Sequence, residues 1–194
     1  MYNATVRGTM SAFAGANYMW ISVNNTSARE SCVASFWRVL FCPAGPGHVL
    51  YYRSETTDGA WCIYSDNIAM TRWLQDTVQG MLDASLADTS IPVTAAAFRK
   101  SGDPAYFWTE TITTANDEIT MTWHDLGDPL LVHTVPEEIP GHRYGVCTVL
   151  IPAAGTRLVH NGVQAAGQSW PRHKYDRPFS TSGLAFSESW TEAQ

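Results

Sequence analysis

Glu110 has the strongest claim to chemistry in the sequence. In AYFWTETITTANDEITMTWHDL, residues 105–126, it shares the two-residue period of Tyr106, Trp108 and Ile112. A carboxylate carried onto an apolar face must be protonated, paired or hydrated, because burying a bare charge is costly. Desolvation between aromatic rings raises its pKa and suits it to general acid or base work. His133 in LLVHTV shares the phase of Leu131 and Val135. Its unperturbed pKa of about 6.5 makes it the natural second proton carrier. Arg38 runs in phase with Phe36 and Leu40, and Arg53 with Val49 and Tyr51. A buried guanidinium seeks a carboxylate or a ligand's anionic group, and for Arg38 that carboxylate could be Glu110 itself. Tyr106 could hold a carbonyl oxygen, while Tyr51, Trp108, Met121 and Trp123 would line the pocket.

The position of Glu110 depends on the turn that follows it. A two-residue turn at Asn116-Asp117 uses the tolerance of Asn for left-handed conformations. It sets Glu110 opposite Trp123 and Ile112 opposite Met121. One face then carries Tyr106, Trp108, Glu110, Ile112, Ile119, Met121 and Trp123; the other carries threonines and His124. If DLGDP reverses the chain and keeps Leu131 opposite Trp123, His133 sits across from Met121, diagonal to Glu110 and on the same inner face.

Other chemistries have weaker support. His124 and Asp125 are neighbours in a strand and should point to opposite faces, with His124 toward solvent. No HExxH, HxH or Cys pair has metal-ligand spacing, which leaves only a convergence of His124, His133, His142 and His160 from separate strands. No Gly-x-Ser-x-Gly occurs, and GDPAYF and AGPGH lack the P-loop pattern. Cys32, Cys42, Cys62 and Cys147 show no CxxC spacing and read as free, mostly buried thiols. No metal and no cofactor is expected.

The elements that would position these groups are mostly strands. ANYMWISV, SCVASFWRVLF, HVLYYRS and WCIYS are bounded by NNTSAR, CPAGPG and ETTDGA. After SIP come VTAAAFR, the two strands of the Glu110 hairpin, LLVHTV, YGVCTVLIP, TRLVHNG and SGLAFSESW. Between these sets, Met70, Trp73, Leu74, Val78, Met81 and Leu82 recur at three and four, predicting one amphipathic helix over about 67–86. Ser65 or Asp66 would cap it, and it would close one barrel end with Trp73 and Leu74 inward. PEEIPGHR would form the mouth loop.

Turn signals every eight to twelve residues predict an all-β, mainly antiparallel fold. We expect one barrel domain over residues 1–194, closed or partly closed, with about 8–10 strands. This architecture resembles that of the lipocalins, although GANYMW lacks the spacing of their Gly-x-Trp signature.

Composition narrows the function. A net charge of −6 with scattered basic residues speaks against nucleic acid, and no window has the run of apolar residues a membrane helix needs. The N-terminus does not read as a signal peptide, so a cytoplasmic location is expected. Eight Trp, eight Tyr and seven Phe point to a large core or a ring-lined cavity. The expected partner is a small apolar or amphipathic molecule; a homodimer contact would also use surplus rings. The leading reading is cofactor-free acid/base chemistry by Glu110 and His133. The alternative is a carrier of a hydrophobic or amphipathic anion, gripped by Arg38 without reaction.

Overall fold

The structure, a computed structural model, describes residues 9–24, 30–138, 143–174 and 176–192. In chain order, β1 (Thr9–Ile21), β2 (Cys32–Phe41) and β3 (Gly47–Ser54) lead through a 3-10 turn (Glu55–Thr57) to β4 (Cys62–Ser65). The helical segment follows as α1 (Ile68–Leu74), a π turn (Gln75–Gln79) and α2 (Gly80–Leu82), then a 3-10 turn (Ala84–Ala87). Next come β5 (Val93–Ala95), β6 (Ala97–Asp103), β7 (Phe107–Thr113), β8 (Glu118–Leu126) and β9 (Leu130–His133). The chain ends in β10 (Tyr144–His160), β11 (Val163–Gln164), β12 (Pro171–Lys174), β13 (Arg177–Ser180) and β14 (Ser182–Glu192).

Ten strands form one sheet in the order β5-β4-β3-β2-β1-β14-β10-β8-β7-β6, with β9 and β11 attached to β10. Residues from opposite ends of that order meet: Phe98 of β6 stacks on His48 of β3 at 5.2 Å and lies 6.0 Å from Phe36 of β2. The sheet is therefore curled into a half-barrel, all-β and partly closed. Its concave face holds Met19, Phe36, Leu50, Tyr52, Ile112, Ile119, Met121 and Trp123 in one packed cluster. The expectation of rings around an enclosed hollow is corrected here. These rings fill the middle against one another, and open space lies instead at the seam.

The helix covers the convex face rather than a barrel end. Met70, Leu74 and Val78 recur every four residues and pack with Leu86 on Trp37, Val39, Val49, Tyr51 and Ile63. Each such buried side chain is worth about 1.5–3 kcal/mol. The convex placement follows from β2 and β3, which are apolar on both faces, so their outer face also needs cover. Leu74 is buried and Trp73 only partly. Asn67, not Ser65 or Asp66, caps the start, its side chain accepting the Met70 N–H at 3.1 Å. The helix stops at Leu82 because Asp83 is extended (φ −143°) and its carboxylate accepts the Ser85 N–H.

Two predicted strands, YGVCTVLIP and TRLVHNG, are one strand of 17 residues, β10. Its first half pairs with β14 and its second with β8. At Gly155 the strands approach so closely that a Cβ would lie 2.1 Å from His124 Cε1. No helix among the described residues is long and apolar enough to cross a membrane. All four cysteines are free.

Candidate functional site

The β7–β8 hairpin carries Glu110 inward, where it is 1% exposed. The register differs from the expected one by two residues: Trp108 pairs with Trp123, Glu110 with Met121 and Ile112 with Ile119. The turn has four residues, not two. Thr114 Oγ1 accepts the N–H groups of Asn116 (3.1 Å) and Asp117 (2.8 Å), and Thr114 N–H donates to the Asp117 carbonyl at 2.8 Å. This side-chain turn outcompetes the left-handed Asn turn. A shift of two preserves parity, so the apolar face is the expected one and only the partners change.

The Glu110 carboxyl is held from one side. Its Oε1 accepts the Trp108 indole N–H at 2.7 Å and a hydrogen bond from the Arg38 guanidinium. Arg38 comes from β2 across the concave face and lies 5.7 Å from the Phe36 ring centroid and 5.9 Å from that of Trp108. Oε2 makes no hydrogen bond among the described residues. Burial pushes the Glu110 pKa above the ordinary 4.5 and outweighs the opposing pull of Arg38 and the Trp108 hydrogen bond.

Glu110 lines a cleft of about 970 Å³ that opens along the seam of the half-barrel. Arg38, His48, Asp66, Phe98 and Lys100 share its walls, with Arg99 beside them and exposed Leu40 and Ile68 at its lip. Lys100 pairs with Glu110 across β6–β7, and its Nζ lies 5.8 Å from the Trp108 ring centroid. His48 is the second residue of β3, directly across from Arg38 of β2. Asp66 fixes it twice, accepting its backbone N–H at 2.6 Å and bonding its Nδ1 at 2.7 Å. Gly47 permits this approach, since a Cβ there would meet Asn67 Cβ at 2.8 Å and Asp66 Oδ1 at 2.9 Å. His48 Nε2 makes no hydrogen bond among the described residues. The residue had a readable signal: counted back from Tyr52 through Leu50, it falls in the inward phase.

Several expected site residues lie elsewhere. His133 is exposed and pairs with Cys147 of β10, not with β8. DLGDP does not reverse the chain. Asp125 takes φ 52°, Gly127 N–H bonds the Pro152 carbonyl at 2.8 Å, and β9 continues along the same edge of β10. That break inverts the phase, burying Leu130 and Val132 and exposing Leu131 and His133. Tyr106 sits in the turn before β7 and is 72% exposed. Tyr51 is buried beneath the helix on the convex face, its hydroxyl donating to the Thr71 carbonyl at 3.1 Å. Arg53 also leaves the concave face, reaching Glu30 at 3.5 Å and lying 5.1 Å from the Trp61 ring centroid. Trp108, Met121 and Trp123 hold the predicted face; the Trp123 indole N–H donates to the Tyr18 carbonyl at 3.0 Å.

His124 faces solvent, but it does reach Asp125, at 2.9 Å between Nδ1 and Oδ2. The left-handed Asp125 backbone breaks the alternation that would have separated them. His160 is buried at the other end of the concave face. Its Nδ1 bonds Thr56 Oγ1 at 2.8 Å and its Nε2 bonds Asp117 Oδ1 at 3.1 Å. His142 and part of PEEIPGHR lie outside the described residues. Among the described residues no group of three His, Cys, Asp or Glu side chains is placed to hold a metal ion. No family model, curated protein or solved structure matches this chain.

Proposed function

We propose that the protein takes a small, mainly apolar molecule bearing an anionic group into the seam cleft and acts on it by cofactor-free acid/base chemistry at Glu110. The observation that carries this reading is the one-sided anchoring of a buried carboxyl. Arg38 and Trp108 both bind Oε1, and the residue lines an open cleft. Lys100 and Arg99 supply cationic charge for the anionic group, and Phe98, Leu40 and Ile68 supply apolar surface. Titration calorimetry with decanoate and 4-phenylbutanoate tests the cleft. The Arg99→Gln/Lys100→Gln double variant should weaken binding by about tenfold or less, as partly solvated charge contacts allow. Unchanged affinity would remove the cleft as the binding site.

A carrier without chemistry is the second reading, favoured by the Arg38–Glu110 ion pair, since a carboxylate already matched to a cation needs no reaction to explain its burial. Glu110→Gln separates the two. An enzyme loses turnover with its fold intact, whereas a carrier keeps its affinity and has no turnover to lose.

A further inference from the structure

We infer that the seam cleft catalyses a proton shift next to a carbonyl group, with His48 taking the carbon-bound proton, Glu110 serving the carbonyl oxygen, and a carbonyl-bearing carboxylate as the substrate class. The inference rests on the reading of the cleft given above and adds the second proton-handling group and the reaction.

Three geometric facts support it. Glu110 and His48 stand on different strands, β7 and β3, yet line one cleft. Each is held through one atom and presents another: Glu110 is held at Oε1, and His48 at Nδ1. The Asp66 carboxylate accepts at Nδ1, so the neutral imidazole carries its proton there and Nε2 is left as the base. The His48 ring is also fixed against Phe98, with an interplanar angle of 17°. On Glu110, both Oε1 bonds survive protonation, because Oε1 then serves as the carbonyl-type oxygen while Oε2–H donates.

The step balances without a co-reactant. His48 Nε2 takes the proton from the carbon beside the carbonyl. The C–H electron pair becomes the new C=C bond, and the carbonyl π pair moves to oxygen, which receives the Glu110 Oε2 proton. The product is the enol, with His48 as imidazolium and Glu110 as carboxylate. Asp66 stabilises the first and Arg38 the second. Return of both protons regenerates the groups. The substrate's carboxylate lies toward Lys100 and Arg99, the cleft cations with no carboxylate partner among the described residues.

Phenylpyruvate is the probe, because it combines a carboxylate, a carbonyl, an acidic C–H and an aromatic ring. Saturation-transfer NMR reads its binding, and loss of its C3 proton signal in D2O reads the chemistry. The wild-type protein should bind it and speed exchange about a hundredfold over buffer, within the range of general acid/base catalysis. Glu110→Gln and His48→Gln should each remove the acceleration while saturation transfer persists. Asp66→Asn should slow exchange about tenfold while saturation transfer persists, since Nδ1 loses the carboxylate that fixes Nε2 as the base; it also carries the test of His48 if His48→Gln fails to fold. Binding without wild-type exchange would overturn this inference and leave the binding reading standing. Absence of binding to phenylpyruvate, decanoate and 4-phenylbutanoate alike would overturn both.

Discussion

At one end of the concave face Glu110 keeps an oxygen free; at the other, His160 engages both ring nitrogens. The apolar cluster of Phe36, Leu50, Tyr52, Ile112 and Ile119 separates them. Around His160 every partner is itself tied. Thr56 Oγ1 meets Ser54 Oγ at 2.6 Å and the Tyr52 hydroxyl at 2.9 Å. Asp117 accepts from Asn161 Nδ2 at 3.1 Å and from the Tyr64 hydroxyl at 3.2 Å. This network joins the turn after β3, strand β4, the β7–β8 turn and the end of β10, so it fastens the half-barrel shut there. The Glu110 end joins β2 and β7 by one ion pair and stays open. Polar groups satisfied within the chain rigidify a fold, whereas a buried group with spare valence is placed to meet a ligand.

The sharpest way to break this contrast is to remove Arg38. Arg38→Met leaves Glu110 buried with only the Trp108 indole as partner, and a buried ion pair that loses one member costs about 3–5 kcal/mol. Arg38 retains some solvent contact, so a loss near 3 kcal/mol is expected in urea unfolding. The Arg38→Met/Glu110→Gln double variant should recover most of it. A single variant as stable as wild type would show that the pair does not hold β2 to β7.

At the opposite end His160→Ala should cost less, about 1–3 kcal/mol, because Asp117 can turn to solvent while Thr56 loses its imidazole partner. Its effect should be confined to stability, leaving binding in the seam cleft unaltered. Weakened binding of decanoate or 4-phenylbutanoate in this variant would mean that the two ends communicate.

Parity explains what could be read in advance. Strand alternation placed Trp108, Glu110, Met121, Trp123 and Arg38 on one face and survived a two-residue register error. It failed where the backbone broke period: at Asp125, where φ is 52°, exposed His124 meets the neighbour it should have been parted from and His133 turns outward, and at Asp83, whose extended backbone ends the helix at Leu82. It was silent where both strand faces are apolar, and so could not assign Tyr51 and Arg53 to the convex side. His48 followed glycine and proline, and CPAGPG read only as a turn; nothing local showed that Asp66 would reach it. Glu188 was also missed. It accepts the Trp190 indole N–H at 2.7 Å, repeating the Trp108–Glu110 contact in a second strand.

The gentlest test uses pH, because the two ends should respond with opposite sign. Burial raises the Glu110 pKa above 4.5, so the folded state holds its proton more firmly than the unfolded chain does. The stability this provides is full below pH 4.5 and is lost as pH rises through the higher folded value. Asp117 behaves in reverse. The His160 hydrogen bond, with those from Asn161 and Tyr64, holds its pKa below 3.8. Its contribution is full above pH 3.8 and is lost as pH falls through the lower folded value. Urea midpoints measured across pH for wild type, Glu110→Gln and Asp117→Asn separate the two. The difference between wild type and Glu110→Gln should shrink as pH rises, and that between wild type and Asp117→Asn should shrink as pH falls. Parallel trends in the two differences would mean that the ends are electrostatically alike, and that the free Glu110 oxygen is an accident of packing rather than a prepared contact.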